Sequence, residues 1–404
     1  NGSGDGGNLT LQAGHSILIN QAITTDNGAL TLTANDTSAS TSYTGYTKGT
    51  VAGGTQAKIL LDATYSITTG TGNLSATIAA GTHESGDITL ANISTTGTVT
   101  LNTSSTSANA GNSTLNAIVD NGTAALTIAA SAVGGNLTLT SGAATSGSDY
   151  AIMDSGTVTV GGNLYAITDA NNGVIDLGSL AVTGTIALTT NDAANDNTGH
   201  ATVVNATAVQ LAASSVDGNF SATATNGNIT QTGALAITGT TTLVTSENNA
   251  TITLETSTNK FAGQVDLSTQ GTSGHVSLVH GDHSEFLDFA ASEVRGNLTV
   301  TTGTGGRVRQ YGIITVDGTT DITAEDGSSN IEFHGEENVF SGTVSMKSHW
   351  AKIKNSKALE LGTIDAKGLV VVARGAVTQS GSGVVSAPNS SSTITAQNVA
   401  GDTK

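Results

Sequence analysis

The sequence contains no cysteine, a single proline (Pro388) and few aromatic residues, which make up 3% of its 404 positions. The absence of cysteine excludes a disulfide scaffold and thiolate metal sites. With so few aromatic side chains, an apolar core must be built from Val, Ile, Leu and Ala, and such small side chains suit a narrow interior. No run of about 18 apolar residues is present, so we expect no membrane-spanning helix.

Basic residues are also scarce, and they are unevenly distributed. The chain has 13 Lys and Arg against 31 Asp and Glu, which gives a formal net charge of −18. No Lys or Arg lies between Lys58 and Lys260, and most of the positive charge is in the last third of the chain, including a Lys-rich region at 347–367. This acidic balance predicts that nucleic acid is not a partner.

One long segment occurs twice, at 216–267 and at 294–346. The first copy opens with Val-Asp-Gly-Asn-Phe and the second with Val-Arg-Gly-Asn-Leu. Apolar and glycine positions agree in type while the residues between them vary, as expected for stacked structural units. Fainter copies elsewhere differ in offset by about one turn of a β-solenoid, roughly 20–30 residues.

Short alternating segments predict the strands of such a solenoid. Residues 30–34, for example, have the sequence Leu-Thr-Leu-Thr-Ala, in which threonine at the outward positions favours an extended backbone. We therefore predict an all-β fold, a right-handed parallel β-helix (β-solenoid) of about 20 coils, continuous over residues 1–404. Irregular loops are expected near 36–57, 104–114, 191–199, 280–293 and 347–358.

Gly-Asn-apolar triplets predict the corners of the coils. The apolar member of each triplet should point inward, and the corners of the two long copies should superpose. Aligned corner asparagines could form hydrogen-bonded ladders. The asparagines that we place at corners are Asn136, Asn163, Asn219 and Asn297, and the apolar residues that follow them are Leu137, Leu164, Phe220 and Leu298.

The chain resembles the filamentous haemagglutinin-like β-helical exoproteins and adhesins of Gram-negative bacteria, which are often exported by two-partner secretion. Two runs carry the resemblance: Gly-Asn-Leu-Thr-Leu-Gln-Ala-Gly at 7–14 with its continuation to 34, and Gly-Asn-Ile-Thr-Gln-Thr-Gly at 227–233 with its continuation to 265. The resemblance implies a segment of the repetitive shaft, located outside the cell or on the bacterial surface, with a non-enzymatic role in attachment, aggregation or biofilm formation.

Two polar segments are candidate metal sites. The His-x-Asp-His spacing of His280, Asp282 and His283 could place ligands on one metal, although the same residues would suit an exposed polar turn. Asp192 and Asp196 could hold Ca²⁺ through oxygen ligands, and the alternative is a solvated loop. No other cofactor is expected.

A carbohydrate-active β-helix enzyme is the alternative function. A lyase needs a basic residue near acidic calcium ligands, and the stretch without Lys or Arg removes that possibility from half of the chain. A hydrolase needs only paired carboxylates. The best local cluster is Glu332, Glu336 and Glu337 near His334, which would equally suit an exposed edge. Trp350 could stack on a sugar or fill an apolar gap.

A third possibility is a self-assembling fibre subunit that stacks end to end. We expect the partners to be further copies, or more of the same chain, at the solenoid ends, together with host or surface glycans or proteins. The acidic middle of the chain should disfavour side-by-side packing at low salt, because like charges repel. End-to-end contacts should therefore dominate over lateral ones.

Overall fold

The computed structural model describes residues 6–39, 56–81, 83–103, 115–143, 150–191, 198–281, 286–303, 305–324, 329–388 and 391–397. Within these ranges the chain contains strands and turns and no helix. The fold is a parallel β-solenoid of about 15 turns, which confirms the predicted fold class. The chain divides into two compact units, Asn1–Ala206 (unit 1) and Thr207–Lys404 (unit 2).

The turns are fewer than predicted because several of them are longer than the expected length of about 20 residues. In unit 2, corner hydrogen bonds join residues of successive turns that are 21 to 23 positions apart. One turn of unit 1 is longer still, since Asn27 bonds a residue 44 positions away.

The strands of unit 1 are short, mostly three to eight residues, and follow one another in chain order. They are β1 (Leu9–Gln12), β2 (Ile17–Ile19), β3 (Ile23–Thr24), β4 (Leu30–Ala34), β5 (Gln56–Leu61), β6 (Ile67–Gly70), β7 (Leu74–Ile78), β8 (Glu84–Leu90), β9 (Ile93–Thr95), β10 (Thr98–Asn102), β11 (Ala117–Asp120), β12 (Leu126–Ile128), β13 (Ser131–Val133), β14 (Leu137–Ser141), β15 (Ile152–Asp154), β16 (Val158–Val160), β17 (Leu164–Asn171), β18 (Ile175–Val182), β19 (Thr185–Asn191) and β20 (Ala201–Asn205).

Unit 2 has the same construction until two long strands near its end. Its strands are β21 (Val209–Leu211), β22 (Ser214–Val216), β23 (Phe220–Ala224), β24 (Ile229–Gln231), β25 (Leu235–Ile237), β26 (Thr241–Asn248), β27 (Ile252–Leu254), β28 (Lys260–Phe261), β29 (Gln264–Gln270), β30 (Val276–His280), β31 (Phe286–Phe289), β32 (Ser292–Val294), β33 (Leu298–Thr302), β34 (Arg307–Gln310), β35 (Ile314–Val316), β36 (Thr320–Ala324), β37 (Asn330–Phe333), β38 (Val339–Phe340), β39 (Val344–Asn355), β40 (Leu359–Ala373), β41 (Val377–Gln379), β42 (Val385–Ser386) and β43 (Thr393–Ala396).

Side chains alternate between the interior and the surface along most strands. In β4, Leu30, Leu32 and Ala34 are buried, whereas the threonines between them are partly exposed. The strands pair in parallel and in register, so that Leu30 stacks between Leu9 and Leu74 of the neighbouring turns. Each coil thus places its apolar side chains against those of the next coil, and stacking buries a surface that one coil could not bury alone.

The predicted inward residues of the corners are confirmed. Leu137 and Leu164 are 0% exposed, and Phe220 and Leu298 are 1% exposed. The residue that follows each corner asparagine faces the core. The Gly-Asn-apolar triplet therefore determines which side chains of the following strand point inward.

The two long copies have the same order of strands, but their openings do not stack in one column. Phe220 pairs with Thr241, which pairs with Val265 of the next turn. Leu298 instead pairs with Val276, which continues the column of Ile252. The equivalence is one of local shape, because the repeat does not contain a whole number of turns.

Two of the expected loops are largely strand. Within 280–293, Leu287 and Phe289 of β31 are buried, and β32 begins at Ser292. Within 347–358, β39 continues to Asn355, with Ala351 and Ile353 facing inward. Charged residues at the outward positions obscured the apolar alternation in both segments. Of the other expected loops, 104–114 lies outside the described residues, as do 40–55 of the first loop and 192–197 of the third.

Candidate functional site

Corner asparagines bind the backbone of the following coil. Oδ1 of Asn136 accepts a hydrogen bond from N of Asn163 at 2.8 Å, and Oδ1 of Asn163 accepts one from N of Thr185 at 2.9 Å. Asn219 and Asn297 do the same for the coils that follow them, both at 2.9 Å. The ladder is therefore formed between a side chain and a backbone amide. At each corner it provides an acceptor for a backbone N–H that the strand pairing leaves without one.

Of the predicted metal ligands, the structure describes only His280. Asp282, His283, Asp192 and Asp196 lie outside the described residues. The ring of His280 faces the interior: it is 0% exposed, its Nδ1 accepts a hydrogen bond from N of Phe261 at 3.3 Å, and its ring stacks on that of Phe261. Among the described residues, no group of three or more His, Cys, Asp or Glu side chains could hold a metal ion.

Of the predicted carboxylate cluster, Glu336 takes part in two surface ion pairs. Glu336 bonds Nζ of Lys354 at 3.1 Å and the guanidinium of Arg374 at 3.2 Å. These cations lower the pKa of Glu336, first through the hydrogen bond from Lys354. A glycosidase acid needs a raised pKa, so Glu336 has the wrong shift for that role.

The carboxyl groups with raised pKa values do not form a common cleft. Burial raises the pKa of Asp154 in unit 1, where the charge of Asp176 adds to the effect. Burial also raises the pKa of Asp266 and of Asp321 in unit 2. None of these residues lines the groove around Lys347 and Lys367 or the groove around Glu336 and Arg374, both of which are in unit 2.

A column of alternating charge runs along the outer face of unit 2. Asp288, Arg309, Glu332 and Lys352 are consecutive in-register partners on β31, β34, β37 and β39. Arg309 binds both carboxylate oxygens of Asp288 at 2.8 Å, and its guanidinium lies 3.4 Å from the ring centroid of Phe286. Opposite charges alternate along the column, so little net charge is left for a ligand, and the Asp288–Arg309 ion pair joins two adjacent coils.

A groove of about 250 Å³ beside this column is lined differently. It lies where β39 and β40 bend, and its lining includes Lys347, His349, Asp365 and Lys367. Lys347 is the in-register partner of Asp365 on the next coil. The two lysines exceed the single carboxylate, so the groove is positively charged on a chain that is acidic as a whole.

The groove lysines differ from several other cations of unit 2 in having no ion pair. Arg295 and Arg309 bind Asp317 and Asp288 respectively. Within the residues that the structure describes, Lys347 and Lys367 make neither a salt bridge nor a side-chain hydrogen bond. Their ammonium groups are exposed, and they are available to an anionic group from outside.

Trp350, the sole tryptophan, lies next to the groove. Gly368 is its in-register partner, and a Cβ atom on Gly368 would fall 2.0 Å from Cζ3 of the indole. Only glycine leaves room for the ring here, so the indole packs against the backbone of β40. The sequence showed the Lys-rich stretch but not the groove, because His349 and Lys367 meet only when two coils stack.

The repeats, the parallel ladders and the apolar interior of each unit define a repeat protein of the β-solenoid class. Three consecutive segments, 198–268, 273–347 and 349–402, match the model of a family described as repeats of unknown function (DUF5649). The second segment contains the second of the two long copies. No curated protein and no solved structure matched the chain.

The described residues contain no helix that is long and apolar enough to cross a bilayer.

Proposed function

We propose that this chain is a non-enzymatic, extracellular structural segment of a bacterial surface adhesin or matrix filament that mediates attachment or aggregation. The observation that carries the proposal is the uniform construction of both units. Coil after coil presents apolar residues to the interior and hydroxyl or amide side chains to the surface. Such a body provides reach and resistance to unfolding without any catalytic chemistry. The resemblance to filamentous haemagglutinin-like proteins also supports this role.

The positively charged groove is the surface through which we propose that attachment takes place. Lys347 and Lys367 have no ion pair within the described residues, so binding an acidic glycan or protein surface would break no existing contact. The test is the attachment of beads coated with the isolated chain to immobilised acidic and neutral glycans and matrix proteins. Lys347→Ser with Lys367→Ser should reduce attachment to the acidic surfaces.

The matched control is Lys352→Ser with Lys357→Ser, which removes the same charge outside the groove. An equal reduction by both pairs would indicate a general effect of charge and would contradict a groove-specific role. A wild-type chain that attaches to no surface would contradict the adhesin proposal itself.

The alternative, a carbohydrate-active enzyme, can be tested directly. Incubation with acidic and neutral polysaccharides should produce no new reducing or unsaturated ends. Glu336 is bound to two cations, so it is poorly suited to donate a proton. Cleavage that disappears in Glu336→Gln or in Asp288→Asn would overturn the structural proposal.

We also propose that copies of the chain associate end to end. Val384 and Ile394, near the end of unit 2, are 62% and 54% exposed, and another coil could cover them. Electron microscopy of the chain at low and high salt is the test. Discrete monomers under every condition would contradict association of isolated chains, whereas lateral sheets at low salt would contradict the predicted repulsion.

A further inference from the structure

Two of the eight histidines meet in unit 1, although the sequence places them far apart. The ring centroids of His15 and His83 are 4.3 Å apart, with an interplanar angle of 67°. Both residues are partly exposed.

The ring nitrogens of this pair are largely available. Nδ1 of His15 lies 2.8 Å from Oγ of Ser16, which leaves Nε2 for another partner. The ring nitrogens of His83 make no hydrogen bond within the described part of the chain, so they are open to a ligand.

A buried asparagine holds both histidine backbones in place. Asn35 is 0% exposed, and its backbone N donates to O of His15 at 2.7 Å. Its Oδ1 accepts from N of His83 at 3.1 Å, and its Nδ2 donates to O of His83 at 2.8 Å. The two histidines are therefore positioned by contacts that do not involve their rings.

The spacing of the rings fits two imidazoles on one metal. A metal bound at about 2.0–2.1 Å from a ring nitrogen lies roughly 3.2 Å from the ring centre. If the two metal–nitrogen bonds meet at 90°, the ring centres are about 4.5 Å apart, close to the separation of the two ring centroids in this structure. From this geometry we propose that His15 and His83 bind a divalent late transition-metal cation, Cu²⁺ or Ni²⁺, in adjacent positions of a tetragonal site.

The choice of metal follows from the donors. Imidazole suits Cu, Ni and Zn, and right-angled nitrogen donors suit the square-planar or tetragonal geometry of Cu²⁺ and Ni²⁺. No third His, Cys, Asp or Glu completes a metal-binding group within the described residues, so water would fill the remaining positions. Ca²⁺ and Mg²⁺ prefer oxygen ligands and should not compete.

The test is isothermal titration of the full chain with Cu²⁺ at neutral pH in a non-coordinating buffer containing excess Ca²⁺. We expect one site per chain, with affinity weakened at least tenfold in His15→Ala and in His83→Ala. His349→Ala, in the groove of unit 2, is the matched control and should bind as the wild type does. In the unsubstituted chain, substoichiometric Cu²⁺ should broaden the imidazole NMR signals of His15 and His83 first, and this result does not depend on how the variants fold.

Binding that survives in the His15→Ala, His83→Ala double variant would overturn the proposal. Loss of binding in His283→Ala instead of His83→Ala would move the site to the segment that the sequence suggested, and it would overturn the proposal equally. Absence of any binding at millimolar Cu²⁺ would do the same.

Discussion

Gln231 and Asn259 exchange two hydrogen bonds between their side-chain amides. Nε2 of Gln231 donates to Oδ1 of Asn259 at 2.9 Å, and Nδ2 of Asn259 donates to Oε1 of Gln231 at 2.8 Å. Oδ1 of Asn259 also accepts from N of Leu235 at 3.0 Å, and the asparagine is 0% exposed. Gln310 and Asn338 form the same pair in the second copy, so both copies retain a hydrogen-bonded Gln–Asn pair whose asparagine is buried.

Removal of this Gln–Asn pair should lower the free energy of unfolding more than removal of a corner asparagine does. Asn338→Ala leaves N of Ile314 and the amide of Gln310 without their buried partner, and we expect a loss of about 1–3 kcal/mol in the free energy of unfolding. Asn297→Ala, the control, exposes an amide that water can satisfy, and should cost less. Denaturant unfolding with hydrogen exchange at Ile314 measures both, and equal losses would contradict the role of the pair.

Substitution of two buried threonines should increase the stability of the protein. Oγ1 of Thr320 and Oγ1 of Thr241, at equivalent places in the two copies, have no hydrogen-bond partner within the described chain. Thr320→Val removes an unsatisfied hydroxyl at nearly constant shape and should stabilise unit 2 by about 1 kcal/mol. The control is Thr269→Val, because Oγ1 of Thr269 donates to O of Gly274 and accepts from N of Arg295. This second change should destabilise, and a gain there with none in Thr320→Val would refute the explanation.

The inward column of unit 2 should be sensitive to cavities. Leu298 is 1% exposed and stacks between Val276 and Thr320. Leu298→Ala should cost about 2–5 kcal/mol, as other buried large-to-small substitutions do. Thr299→Ala, at the exposed neighbouring position, should change stability little. Hydrogen exchange of the adjacent coils reports the difference, and a loss below about half a kcal/mol would place Leu298 outside the core.

Asp266 should make stability depend on pH in the acid range. Burial raises the pKa of its carboxyl group above the unfolded value, so the protonated form is favoured in the folded state. Stability from this group is complete below the unfolded pKa and is lost as the pH rises through the folded pKa. The melting temperature of Asp266→Asn should therefore rise relative to that of the wild type as the pH rises through that range. Above it, the difference between the two melting temperatures should stay constant.

Asp62 provides the comparison of opposite sign. Hydrogen bonds from Thr64, first from its backbone N, lower the pKa of Asp62. The stability that this carboxylate contributes is present above its unfolded pKa and disappears as the pH falls through the folded pKa. The melting temperature of Asp62→Asn should accordingly fall relative to that of the wild type as the pH rises. Parallel pH profiles for the two variants would contradict the assigned shifts.

The sequence predicted the features that depend on neighbours along the chain. The alternation of Leu30, Leu32 and Ala34 was sufficient to indicate a strand, and the Gly-Asn-apolar triplets placed Leu137 and Phe220 in the core. These patterns are local, because a period of two fixes which side chains face inward.

Features that depend on how coils stack were not predictable in the same way. The sequence predicts His280 to be a polar-turn or metal-site residue, but it lies at an inward strand position against Phe261. The contact between His15 and His83 depends on the length of each turn, which the sequence leaves open. The groove at Lys347 and Lys367 arises likewise from the register of β39 against β40.

The corner asparagines also change how the Asn-x-Ser/Thr triplets of this sequence should be interpreted. At five corners of the described chain, Asn73, Asn136, Asn219, Asn228 and Asn297, the asparagine binds the following coil through Oδ1, the next residue is buried, and the third is a Ser or Thr directed outward. That order is also the acceptor triplet for N-linked glycosylation. At these five corners the triplet follows from solenoid geometry, so its presence there is not evidence of attached sugars. A host that adds N-glycans would nevertheless encounter acceptor triplets at these corners.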